Sequence, residues 1–376
     1  MTQRIPLSVL DLSPVPTGGT AADALRNTVD LARVAERCGY RRYWVAEHHL
    51  APGVASAQPA VLIALLAGAT DRIRLGSGAV QLPNTPTLSV AEQFGTIAAL
   101  HPGRIDLGLG RFDLRRILDR RAGRPGEGPE PRPTHEVDGL VIPEFRPYSG
   151  DQAAYRLLGD LLDVRLDEPA PDYAAQIAQI RAFLGGNHPG PGDRPVTVLP
   201  AHGADPELWV LGTTPGESAR AAGEAGLPFA ASYHIVPNFV LETIEAYRSA
   251  FRPSDTLEEP YLMVSADVVV ADDDATAAEL ALPYGQWVLD IKSGRGAQPY
   301  VTPEQARQRT WTDEERDAVR DRLETQFVGS PATVADRLCT LARVTGADEL
   351  LVTSITTEHT DRVRSHELLA KHWIGG

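Results

Sequence analysis

Cysteine is nearly absent: Cys38 and Cys339 are the two in 376 residues, far apart and each within an apparent helix. That excludes a disulfide framework and a cysteine-based metal site, and both are expected to be small packing residues. Also missing is any apolar run near the roughly 18 residues a spanning helix requires. The start, Met1-Thr2-Gln3-Arg4-Ile5-Pro6, lacks the long apolar stretch of a signal peptide, so a cytoplasmic protein is expected. Positive charge is in deficit, with 36 basic against 50 acidic residues and a formal charge of -14. Such a chain repels polyphosphate, which argues against nucleic acid or an anionic membrane as partner but leaves room for one local phosphate site. No Gly-x-Ser-x-Gly elbow, His-Glu-x-x-His pair, P-loop or Cys-x-x-Cys motif occurs, which lowers hydrolase, metalloprotease and nucleotide-triphosphatase readings.

What is present is a chain with 43% hydrophobic residues, enough to bury a large core. Strand-like and helix-like patterns alternate, with strands expected to start at Leu7, Arg42, Ile73, Arg104, Leu208, Pro228, Tyr261 and Glu349. Eight is the number that closes a parallel barrel of βα units. The first helix, Ala21 to Cys38, has Thr20 as N-cap, Gly39 as its stop and an expected apolar face through Leu25, Val29 and Ala32. Two stretches break the rhythm. The span 112–205 is rich in Gly, Pro and charge and reads as a surface excursion; 285–311 carries Trp287 and Trp311, which could line a pocket or anchor a loop.

Candidate chemistry collects at strand ends. Tyr43-Trp44-Val45-Ala46 runs into Glu47-His48-His49. Alternation puts Glu47 and His49 on one side and His48 on the other, which weakens a shared metal ligand set and favours separate roles; two hydrogen-bonded structural histidines remain the alternative. Leu75-Gly76-Ser77-Gly78-Ala79-Val80 places glycines where β-branched residues are expected, which suits either a flat ligand and unusual peptide geometry or tight packing. Asp106-Leu107-Gly108-Leu109-Gly110-Arg111 ends a strand with a guanidinium suited to phosphate, and Gly212-Thr213-Thr214-Pro215-Gly216-Glu217-Ser218 opens a helix as either an anion site or an ordinary N-cap. An anion there requires Glu217 to face solvent. Of the remaining histidines, His234 stands out because it lies just past a strand end.

In this order, these pieces resemble the bacterial luciferase-like flavin monooxygenases. The likeness rests on Trp44 to His49, Leu75 to Val80 with Leu82-Pro83, Glu92-Gln93-Phe94, Pro102 to Arg111, Gly212 to Ala219, Phe327 to Val334 and Gly346 to Val352. It covers nearly the whole chain except about 112–200. It departs from close relatives after Arg111, where Phe112-Asp113-Leu114-Arg115-Arg116 replaces a small turn.

The resemblance implies one (β/α)8 TIM-barrel domain over 1–376 with the excursion between strands four and five. It implies reduced FMN, supplied by a separate reductase, and O2 acting through a C4a-hydroperoxyflavin on a small organic substrate. Ser77, Gly78 and Ala79 would face the flavin ring, often through a non-prolyl cis peptide at the position of Gly78-Ala79. Arg111, Thr213, Thr214 and Ser218 would hold the phosphate, and His48, with Glu47 and His49, would serve catalysis. A homodimer through the outer helices near 57–69 and 89–100 and a role in a specialised small-molecule pathway are further expectations. The alternatives are a deazaflavin-dependent dehydrogenase and a non-catalytic flavin-binding barrel.

Overall fold

The computed structural model describes residues 4–121, 132–148 and 151–375. Eight parallel strands form a ring: β1 (Leu7–Asp11), β2 (Arg42–Val45), β3 (Arg74–Ser77), β4 (Ile105–Gly110), β5 (Glu207–Gly212), β6 (Phe229–Ser232), β7 (Leu262–Val270) and β8 (Glu349–Thr353). Each pairs with the next, and β8 closes on β1, giving the expected (β/α)8 TIM barrel. Every expected strand start lies within one residue of the observed one.

Period-two alternation sorts the side chains into two layers. Tyr43, Val45, Leu75, Ile105, Leu107, Leu109 and Val264 face outward into the apolar layer under the helices. Leu10, Trp44, Trp209, Ala230, Met263 and Leu351 fill the interior. The glycines of β3 and β4 are explained here. A Cβ on Gly76 would sit 2.7 Å from the Trp44 indole, and one on Gly108 would sit 2.0 Å from the Ser77 carbonyl oxygen. At Gly76 the ambiguity therefore resolves as packing, since the glycine makes room for an indole inside a narrow barrel.

The amino end of the barrel is plugged by charge. Arg42, fully buried, donates from Nη1 to Asp106 (2.9 Å), from Nη2 to Glu207 (3.1 Å) and from Nε to Glu349 (3.2 Å). Trp44 Nε1 donates to Asp106 and Trp209 Nε1 to Glu207, both at 2.9 Å. The candidate site residues lie at the opposite, carboxyl end.

The first helix follows its signals: Thr20 accepts from Asp23 N, and Gly39 closes it at φ 85°. Of the expected face Ala32 is fully buried, but Leu25 and Val29 are half-buried, and the buried face runs through Ala24, Thr28, Leu31 and Ala35 as well. The cause is Asp11, which draws Thr28 inward (2.6 Å) and also accepts from Tyr43 (2.6 Å) and Arg362 (2.9 Å). Cys38 is half-buried, but Cys339 is exposed on the Pro331–Thr345 helix, contrary to the packing role expected of it.

The excursion after β4 carries the helices Leu114–Arg121, Gln152–Leu161 and Tyr173–Gly185 and the hairpin His135–Ile142. Tyr173–Gly185 packs against the ring helices Thr87–Leu100 and Glu217–Glu224. Tyr173, Ile177 and Ile180 are buried, and Tyr173 OH donates to the Leu109 carbonyl (2.8 Å). The 285–311 stretch is partly helical, because Tyr284, Trp287, Val288 and Ile291 form one apolar stripe on the helix Tyr284–Lys292. That stripe joins Leu12, Ala46, Val54, Ala297 and Tyr300 in closing the top of the interior core.

Candidate active site and cofactor cradle

Beyond β2 the chain leaves the ladder but keeps its alternation. His49 Nε2 lies 2.8 Å from Glu47 Oε1, so these two share a side as the sequence indicates. His48 is turned the other way. Its backbone N–H donates to Ser56 O (2.9 Å), and its Nδ1 is buried without a hydrogen-bond partner. Loss of hydration, helped by the neighbouring His49, lowers its pKa from 6.5 to about 4, so the imidazole is neutral at physiological pH.

Across the mouth, past β6, His234 Nδ1 lies 2.6 Å from Ser265 Oγ. Burial, then Arg322, then His48 lower its pKa to about 3. His48 and His234 lie past the carboxyl ends of β2 and β6, and His48 is one of the groups acting on His234. Arg322, from the helix Asp313–Thr325, reaches in to donate to Asp267 (3.3 Å) and Tyr284 (2.7 Å), and Tyr284 donates to Asp267. Burial raises the Asp267 pKa, with Arg322 and Tyr284 opposing it. Sequence reasoning did not single out Asp267, Tyr284 or Arg322. A signal existed for Asp267: polar Ser265 and Asp267 occupy alternate positions of an otherwise apolar strand. Arg322 gave none, because it sits in a charge-rich helix that looks solvent-facing.

At β3 the peptide Gly78-Ala79 is cis, in agreement with the family expectation. The expected continuous strand from Ile73 to Leu82 is interrupted there and resumes as Val80–Gln81 beside β4. Ser77 spends its hydroxyl within the barrel wall, donating to Gly108 O (2.9 Å) and accepting from Gly108 N (3.0 Å).

The ends of β4 and β5 build a second feature. The helix Glu217–Glu224 begins at Gly216 with no side-chain cap, so neither Thr213 nor Thr214 serves as an ordinary N-cap. A Cβ on Gly216 would meet Thr214 Oγ1 at 3.5 Å and Arg111 Nη2 at 3.7 Å. A hydroxyl, a guanidinium and uncapped helix N–H groups thus converge on bare backbone, with Ser218 buried one residue into the helix. Glu217 does not turn to solvent as an anion site was expected to require. It accepts from Arg111 Nη1 (3.2 Å) and lies 2.8 Å from Arg116 Nη1, held between two cations.

A barrel with this mouth defines a class, and comparison with known proteins defines the family. The luciferase-like monooxygenase profile matches residues 5–132 and 150–349. The Bacillus subtilis (strain 168) protein YvbT is 40% identical over 98% of this chain and 96% of its own. The Escherichia coli (strain K12) luciferase-like monooxygenase is 36% identical over 98% of this chain and 97% of its own. Among solved structures, apo-MsnO8 superposes with a TM-score of 0.78 at 31% identity, covering 99% of this chain and 98% of that one. The oxygenating constituent of 3,6-diketocamphane monooxygenase from Pseudomonas putida, in complex with FMN, shares the fold at 18% identity (TM-score 0.63, 98% and 97% covered). An F420-dependent secondary alcohol dehydrogenase does so at 13% (TM-score 0.62, 99% of each chain). The chain belongs to the luciferase-like monooxygenase family. No helix among the described residues is long and apolar enough to cross a membrane.

Proposed function

We propose that this protein is a two-component monooxygenase that receives reduced FMN from a separate reductase in the cytoplasm and directs one atom of O2 onto a small organic substrate. The observation that carries this reading is the joint presence, at one barrel mouth, of an uncapped, arginine-flanked helix start and a buried neutral imidazole. The residues fit a flavin phosphate: Arg111, Thr213, Thr214, Ser218 and the backbone at Gly216 would bind it, with Glu217 swinging off Arg111. Gly78-Ala79 and the backbone of Ser77 would face the ring system. When bound, reduced flavin supplies the electrons that activate oxygen. His48 holds or moves a proton beside that ring, oriented by its backbone bond to Ser56. The stripe of Trp287 and Tyr300 keeps water out of the mouth. The same cradle would serve a deazaflavin, as named for the F420-dependent secondary alcohol dehydrogenase; the Escherichia coli relative's name, luciferase-like monooxygenase, supports the oxygenase reading. The described parts of the excursion after β4 (112–121, 132–148 and 151–172) and the stretch 285–311 would shape a substrate site suited to a specialised pathway.

Replacing Arg111 by Ala tests the cradle. We expect reduced FMN to bind about ten- to a hundredfold more weakly, the loss of a charged hydrogen bond worth about 1.5–3 kcal/mol, while reduced riboflavin, which lacks the phosphate, is unaffected. Equal losses for the two would place the phosphate elsewhere.

The partner surface we propose is a homodimer face on the helices Pro59–Ala67 and Thr87–Leu100, which pack side by side and expose Val61 (61%), Leu65 (61%) and Leu100 (74%). Sedimentation should give a dimer for the wild type and a monomer for the double variant Val61→Glu, Leu65→Glu. A wild-type monomer at micromolar concentration removes this surface.

A further inference from the structure

We infer that Glu47 and His49 are positioning residues, a clamp that sets His48 against the Gly78-Ala79 peptide, and that neither carries a proton in the reaction. This rests on the flavin reading above for its consequence, though the clamp itself is independent of it. The β2–β3 ladder ends at Val45 and Ser77. One further backbone bond, Gly78 N to Val45 O (2.8 Å), joins the strand ends; beyond it the segments holding His48 and Ala79 must stay in register for both to face one ring.

Glu47 and Gln81 supply the missing rungs reciprocally. Gln81 N donates to Glu47 Oε2 (3.0 Å), and Gln81 Nε2 donates to the Glu47 carbonyl oxygen (3.0 Å). The other carboxylate oxygen, Oε1, is engaged by His49 Nε2 at 2.8 Å, with both side chains little exposed at 8% and 12%. Gln81 lies two residues after Ala79, and Glu47 one before His48, so the clamp grips both sides of the proposed flavin locus. Ser56 completes the brace, donating from Oγ to the Ala46 carbonyl (2.5 Å) and accepting the His48 N–H. Both oxygens of this carboxylate are engaged, by a backbone N–H and an imidazole on the side of the strand opposite His48, so it is aimed at Gln81 and His49 and away from the mouth.

Two substitutions separate clamp from proton carrier. Glu47→Gln keeps an acceptor for Gln81 N and a partner for His49 but cannot ionise in this range; Glu47→Ala removes the rung to Gln81 N and the bond to His49, leaving only the Gln81 Nε2 bond to the backbone carbonyl. Amide exchange at Gln81, measured without cofactor, should speed up at least tenfold in Glu47→Ala and stay within threefold of wild type in Glu47→Gln. Binding of reduced FMN and of reduced riboflavin should both weaken at least tenfold in Glu47→Ala, because the ring side is lost, unlike the FMN-selective loss expected for Arg111→Ala. Glu47→Gln should keep both affinities and the pH profile of oxygen transfer. Equal impairment of the two variants, or a Glu47→Ala protein with wild-type exchange at Gln81, overturns the inference. Failure of the wild type to bind reduced flavin would overturn the cofactor reading instead, and the exchange at Gln81 would still decide the clamp.

Discussion

Replacing His48 by Ala is expected to lower oxygen-atom transfer by about 10²- to 10⁴-fold, the range over which a placed acid–base group acts, while reduced FMN binds within about threefold of wild type. The split follows from position: His48 lies at the end of β2, whereas the phosphate cradle is built from the ends of β4 and β5. Its pH dependence follows from burial. With a pKa lowered to about 4, His48 remains neutral from pH 8 down to about 5, so a step that uses it as a base holds level over that range and falls as pH approaches 4. The linkage to stability has the same direction. The unfolded chain protonates its histidines near 6.5, above the folded values of about 4 for His48 and about 3 for His234, so stability is fully present above 6.5 and is lost as pH falls through that window. Rate profiles and urea melts between pH 4 and 8 check both. A parallel loss of flavin binding and turnover in His48→Ala would remove its proton-handling role.

The largest stability effect is expected from Arg42→Leu. Burial pushes the Arg42 pKa down, and the carboxylates of Asp106, Glu349 and Glu207 more than reverse it, so the guanidinium is firmly charged inside the barrel. Removing it leaves three carboxylates at the amino end with Arg74 as their principal remaining cation, bonded to Asp106 (2.5 Å) and Glu207 (2.9 Å) but not to Glu349. Glu349 keeps hydrogen bonds from Tyr261 (2.9 Å) and Ser8, and Arg41 approaches no closer than 3.6 Å. Uncompensated buried charge costs about 3–5 kcal/mol, and the urea midpoint should fall accordingly at unchanged slope. A loss under 1 kcal/mol would mean that the plug tolerates water or that its carboxylates readily protonate.

Much of this architecture is written in local pattern. Strand starts were legible because alternating apolar residues and short helices leave little latitude in a closed barrel. The sidedness of Glu47, His48 and His49 followed from the same alternation and holds even where the ladder has ended. What was not legible depends on contacts made at a distance. Thr28 turns inward because Asp11 lies beneath it, and Tyr173–Gly185 joins the outer ring by packing on the helices Thr87–Leu100 and Glu217–Glu224. Glu217 faces Arg111 with Arg116, from the segment after β4, as a second cation. Arg322 reaches the mouth from a helix whose composition advertises solvent. In each case a partner distant along the chain decides the orientation, and single-sequence periodicity carries no record of it.

The measurement that bears most directly on the central claim is anaerobic titration with reduced FMN, followed by rapid mixing with oxygenated buffer. The account predicts saturable binding of the reduced flavin, and oxidation of the bound flavin by O2 with kinetics distinct from those of free flavin. Tight binding of a reduced deazaflavin, with no reaction between O2 and protein-bound reduced FMN, would contradict it and make the protein a hydride-transfer enzyme on the same barrel.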